Sequence, residues 1–208
     1  MGASILIAEL PPVSRLALAY APRSHRSAWL AVLSLDNRLC GIVRQAREPL
    51  LAQIRLSWWR ERLAEDPARW PQGEPLLQLI GGAIPQPERL AAMVDGWEAL
   101  LGDAPLAAET LAMAAAGRAR GLSWLSADGF AAAQGWVLFD MAGRLSHPDE
   151  REAVLALMRA ADWQVPRLPR LMRPLVVLLA LARRQAAGKT PGGAAALFTA
   201  LRAGLLGR

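Results

Sequence analysis

Residues 28 to 63 read AWLAVLSLDNRLCGIVRQAREPLLAQIRLSWWRERL, and the spacing of their apolar side chains decides the fold class. Trp29, Val32, Leu33, Leu35, Leu39, Ile42 and Val43 recur at the spacing that lines one face of an α-helix. Pro49 then stands one residue into a second helix, where its missing N–H costs no hydrogen bond. That helix carries Leu50, Ile54, Trp58 and Leu63 as an apolar face, with arginines on the other side. Elsewhere no run alternates apolar and polar residues as a half-buried strand does. Hydrophobic residues make up 53% and aromatics only 6%. The apolar excess is largely Ala and Leu, both strong helix formers. The sequence predicts an all-α protein, a single-domain helical bundle over residues 1–208.

A chain of 208 residues is long enough to bury one core. Working outward from the quoted pair, a short helix is expected to begin near Pro12. Others are expected at Leu76 to Ile80, Pro87 to Leu101, Ala107 to Leu125, Gly129 to Leu145, Pro148 to Asp162, Pro169 to Ala187 and Gly193 to Leu206. Asp66 to Pro75 is rich in turn residues and is expected to separate two halves of the bundle. No internal repeat or low-complexity segment stands out beyond the alanine bias.

The formal charge is +6 and the pI about 11.0, with Lys189 the only lysine. Biased Ala, Arg and Gly usage explains this as well as an anion-binding surface does. The basic residues are scattered along the sequence without interleaved stacking aromatics, so no nucleic-acid partner is expected. An arginine-rich surface also suits an anionic membrane face or a diphosphate. Cys40 is the only cysteine, which leaves no disulfide framework and makes a reducing, cytoplasmic location the default. The opening MGASILIAELPPVSRL lacks a basic n-region, so no secretory signal is expected. Leu175 to Ala182 falls far short of the roughly 20 apolar residues that cross a bilayer. Membrane contact would be peripheral, at the inner face.

Several phrases, taken in order, carry a resemblance: AREPLLAQIRLSWWRERL, LAAMVDGWEALLGD, AAAGRARGLSWL and LMRPLVVLLALARR. Together they resemble the squalene and phytoene synthase family over roughly residues 11–187, leaving 188–208 as a helical extension. The resemblance implies an isoprenoid synthase fold, which condenses two prenyl diphosphates with magnesium held between Asp-rich motifs. Ionising such a diphosphate requires neutralising its leaving group, a task for Mg2+ on carboxylate oxygens. Where the family's first Asp-rich motif would fall, this chain has Cys40 and Arg44 at the outer positions and Gly41 between them. Asp36 lies one turn earlier with no carboxylate at i+4. The second motif corresponds to GWVLFDMAGRLSHPDE, residues 135–150, where Asp140, Asp149 and Glu150 supply acidity out of register. The helix matching the family's tyrosine-bearing one contains no tyrosine.

The resemblance therefore implies a degenerate member, with no catalytic residue, no metal and no cofactor expected. REPLLAQIRLSWWRERL is most similar to a shortened branch related to a respiratory complex I assembly factor. That implies a protein partner and an assembly or scaffold role at a respiratory membrane complex. Two alternatives stand beside it. An active, magnesium-dependent prenyltransferase would use Asp36, Asp140, Asp149 and Glu150 as ligands. A noncatalytic binder of prenyl lipid or diphosphate would use Arg44, Arg47 and Arg55 as anion ligands.

Other residues read as structural. Ser146 to Glu150 fits helix initiation, with Ser146 or His147 as N-cap, Pro148 in the first turn and Asp149 complementing the dipole. Gly188 to Thr190 has the tail of a phosphate loop but reads better as a helix end and turn. His25 and His147 lack ligand partners at zinc spacing. Cys40 is expected to be a small core residue, although Arg44 one turn on could lower its pKa. Trp58, Trp59 and Trp97 are expected to fill the core.

Overall fold

Helix α3, Arg26–Arg44, buries eleven of its 19 residues, on every side over residues 28–35 and then on one side at Leu39, Cys40 and Ile42, with Trp29, Leu35 and Leu39 completely buried. The other elements assemble around it. A computed structural model describes residues 2–46, 48–161, 167–187 and 193–206. Among them are eleven α-helices and no strand. Before α3 come α1 (Gly2–Glu9) and α2 (Pro12–Ala19); after it come α4 (Pro49–Ala64), α5 (Pro75–Ala83) and α6 (Ala91–Glu98). The second half contains α7 (Ala108–Leu122), α8 (Phe130–Ala142), α9 (Pro148–Ala160), α10 (Arg173–Ala186) and α11 (Ala194–Leu206).

Helix α3 packs against α1, α2, α4, α5, α6 and α7, while α8 lies between α7, α9 and α10. Trp29 ties the two halves together, its Nε1–H donating to the carbonyl of Leu171 at 2.7 Å. Helices α6 and α7 cross at close range. A Cβ built on Gly117 would stand 2.6 Å from the Ala92 carbonyl, and one on Gly96 would stand 2.6 Å from the Arg118 backbone nitrogen. Glycine at both positions lets the two backbones touch, which brings Trp97 of α6 beside Arg118 of α7.

Three expectations from the sequence need correction. Helix α1 was not anticipated; it is eight residues long and buries only Leu6, too little for a periodic signal. Asp66 to Pro75 does not divide the bundle. It holds a 3-10 turn at Pro67–Arg69, capped by Asp66, and a buried Trp70 whose Nε1–H donates to the Arg62 carbonyl. The chain then returns as α5 onto α3 and α1, and one hydrophobic cluster continues from Leu6 to Ala203. The third concerns α4, whose core face is Ala52, Leu56, Trp59 and Leu63 rather than the stripe beginning at Leu50. Leu50, Leu51 and Ile54 are exposed. The helix has apolar residues on two faces, and burial selected the one that meets α3 and α6.

Candidate functional site

Asp36 and Cys40 lie one turn apart on α3, and Asp140 and Arg144 stand opposite them at the same spacing, on α8 and the turn that ends it. Arg118 of α7 enters between the two helices. Its Nε donates to Asp36 Oδ1 at 3.2 Å and its Nη2 to Asp36 Oδ2 at 3.1 Å, a fork on one carboxylate. The same Nη2 donates to Asp140 Oδ2 at 2.8 Å. Arg144 approaches Asp140 from the other side, Nε to Oδ1 at 2.8 Å, and its Nη1 lies 3.3 Å from Cys40 Sγ. Trp97 completes the group: its Nε1–H donates to Asp36 Oδ1 at 2.8 Å, and its ring lies 3.9 Å from the Arg118 guanidinium carbon.

Arg118 is 0% exposed. A buried guanidinium survives only where charge and hydrogen bonds offset its lost hydration. Here burial pulls its pKa down, and the two facing carboxylates more than restore it, so the group stays protonated. The bare Arg118 Nη1 has no hydrogen-bond partner, and the Trp97 ring beneath the guanidinium supplies a cation–π contact in partial compensation. Arg144 shows the same balance, burial lowering its pKa and Asp140 raising it further. The Cys40 thiol is pushed above its ordinary value of 9.0, first by burial, with Asp36 and Asp140 adding to the effect and Arg144 opposing it. Two carboxylates, two guanidiniums and a neutral thiol therefore form a charge-balanced cluster.

Both carboxylates of the cluster are already engaged. Mg2+ takes near-octahedral oxygen coordination near 2.1 Å, through one or two carboxylates together with waters and substrate phosphates. Asp36 already accepts three hydrogen bonds and Asp140 two, all from cationic or indole donors. No group of three His, Cys, Asp or Glu residues among the described residues is arranged to hold a metal.

The other residues singled out from the sequence fall outside this cluster. Glu150 is buried and accepts from the Leu106 N–H at 2.9 Å, bracing the loop before α7. Asp149 is exposed at the start of α9, where the His147 Nδ1 caps the Asp149 N–H and Pro148 occupies the first turn. Arg44 is exposed and lines a hollow of about 480 Å3 with Trp136, Phe139, Asp140, Arg144 and Gln185. Arg55 lines a different one, an open groove of about 780 Å3 between α3 and α4 with Arg38, Ile42, Ile54 and Trp58. Arg44 and Arg55 thus line different cavities, and Arg47 lies outside the described residues, as does Gly188 to Thr190. Cys40 is buried as expected, but its cationic neighbour is Arg144 rather than Arg44. Trp59 is core, packed edge-on to Trp58 at 5.1 Å, while Trp58 lines the open groove.

Arg118 itself was missed by reasoning from sequence. A signal was present: Leu111, Ala114, Ala115 and Leu122 define the buried face of α7, and Arg118 falls in that series. A cation at a core position requires a buried anion, and Asp36 and Asp140 were both already singled out. No family model, no curated protein and no solved structure matches this chain.

Proposed function

We propose that this chain is a squalene and phytoene synthase-like protein without magnesium-dependent prenyl transfer, acting as an assembly or scaffold factor for a respiratory membrane complex. The observation that carries the reading is Arg118, placed between Asp36 and Asp140. In a metal-dependent synthase, carboxylates on facing helices hold cations that in turn grip the diphosphate. A guanidinium between two carboxylates neutralises them but offers no coordination position to a leaving group. On this reading the fold would be kept and the chemistry would not. The complex I relation rests on the sequence resemblance alone.

The test is turnover of labelled farnesyl and geranylgeranyl diphosphate with and without magnesium, beside an active synthase. No product is expected, and magnesium-dependent product would overturn the noncatalytic reading. For the assembly role, deletion in the source cell should shift complex I activity and its assembly intermediates; unchanged intermediates would count against it.

A second reading, a noncatalytic diphosphate binder, draws on the hollow where Arg44 and Arg144 stand beside Trp136 and Phe139. It predicts binding of inorganic diphosphate that is independent of magnesium and weaker in Arg44→Ala. A magnesium requirement would sink it.

A further inference from the structure

Helix α11 is built inside out. Its smallest residues face the protein: Ala196, Ala200 and Ala203 are buried, and a Cβ on Gly204 would meet the Tyr20 ring at 2.0 Å. Among its described side chains the largest apolar ones face outward, with Leu197, Phe198, Leu201 and Leu205 exposed by 57%, 69%, 48% and 64%. At helical spacing these four fall on one arc of roughly 100°. A surface helix that served only its own core would reverse that arrangement.

Charge singles out the same region. Trp163 to Arg208 holds eight cations and no Asp or Glu, whereas residues 1–162 hold 16 cations and 18 acids. The arginines look scattered along the sequence, yet the whole positive excess of the chain belongs to its last 46 residues. Within the fold, Arg167 and Arg170 are exposed and close enough to Arg173 to depress its pKa, adding to the effect of its own burial. Arg173 in turn donates to the Ala203 carbonyl at 3.3 Å, which fixes this cluster beside the C-terminal part of α11. Arg202 is exposed and borders the apolar arc.

We propose that the outward face of α11, with Arg167, Arg170 and Arg202, is a docking surface for an anionic lipid bilayer. Apolar side chains enter the boundary between headgroups and acyl chains while the arginines meet anionic headgroups, the arrangement of an interfacial helix. A nucleic acid fits less well, because the outward side chains are mostly aliphatic and offer one aromatic face to stack on. A second copy of the chain fits less well too, since symmetric pairing through this face would bring two arginine clusters together. No helix among the described residues is long and apolar enough to cross a membrane. The contact is therefore one of lying on the surface, not spanning it.

The experiment is co-sedimentation of the full chain with vesicles of phosphatidylcholine alone and of phosphatidylcholine mixed with phosphatidylglycerol. Binding is expected to the mixed vesicles, to weaken with added salt, and to be largely lost when Leu197, Phe198, Leu201 and Leu205 are all changed to Ser. Changing Arg167, Arg170 and Arg202 to Gln should weaken it roughly a hundred-fold, at about 1 kcal/mol for each cation near the surface. Circular dichroism establishes that each variant is folded. The single change Phe198→Ser, at the most exposed of the four positions, keeps the test readable if the fourfold variant does not fold. Three results would overturn the proposal: no binding to phosphatidylglycerol vesicles at low salt, binding that survives loss of the apolar face, or a dimer in solution that the same apolar changes abolish.

Discussion

Replacing Arg118 with Met would leave Asp36 and Asp140 on facing helices with no guanidinium between them, since Arg118 is the group that bridges the two. Removing one partner from a buried ion pair costs about 3–5 kcal/mol, because the remaining charge stays desolvated. Urea denaturation of Arg118→Met should show a loss of that size, and adding Asp36→Asn with Asp140→Asn should recover part of it. An unchanged midpoint would mean that the guanidinium does not balance those carboxylates. Cys40 gives a second expectation at this scale. Its thiol pKa is raised in the folded state, chiefly by burial, so the unfolded chain ionises first as pH increases. The stability it contributes is complete below pH 9.0, the ordinary value, and is lost as pH rises from there through the folded-state pKa. Stability curves of the native chain and Cys40→Ala should therefore converge or cross above that pH, and alkylation of the folded thiol at neutral pH should be slow. Half of this cluster was legible in the sequence. Asp36 and Asp140 drew attention as carboxylates, but neither shows in a linear reading that its partner is a cation 82 or 22 positions away. Periodicity reports which face a residue occupies and is silent about which other helix that face meets.

At the scale of the element, the α6 and α7 crossing is the most constrained contact. Gly117→Ala would put a methyl group 2.6 Å from the Ala92 carbonyl and force the helices apart. Overpacking of this kind costs about 1–3 kcal/mol, against a gain of about 1 kcal/mol from the better helix propensity of alanine. A lower melting temperature is expected for Gly117→Ala, with Gly41→Ala, which meets nothing within 4 Å, as the control that should not fall. Equal melting temperatures for the two variants would contradict the close crossing. Most elements were readable from the sequence because each hides one apolar face: α3, α7 and α10 appear where their spacing puts them. Helix α4 was found but its orientation was not. Leu50 and Ile54 belong to an apolar stripe as regular as the buried one, and only the neighbouring helices decide between the two.

For the whole molecule, one hydrophobic cluster runs through helices from both halves of the chain, and Trp29 of α3 is hydrogen-bonded to the turn before α10. Far-ultraviolet dichroism and tryptophan fluorescence should therefore unfold in a single shared transition. Two separated midpoints would show that the halves fold independently. The all-helical class was legible from composition and spacing. The charge polarity is also written in the sequence, but a near-neutral body and a strongly basic end average to a modest net charge that hides it until the chain is read segment by segment. The Arg118 cluster has one further consequence for the molecule as a whole. A metal ion between α3 and α8 would come and go with its supply, and the fold would depend on how much of it the surroundings held. Here the cation is part of the backbone's own cargo, delivered by α7 at an effective concentration that dilution cannot lower. The joint between the two halves is thus closed by folding itself.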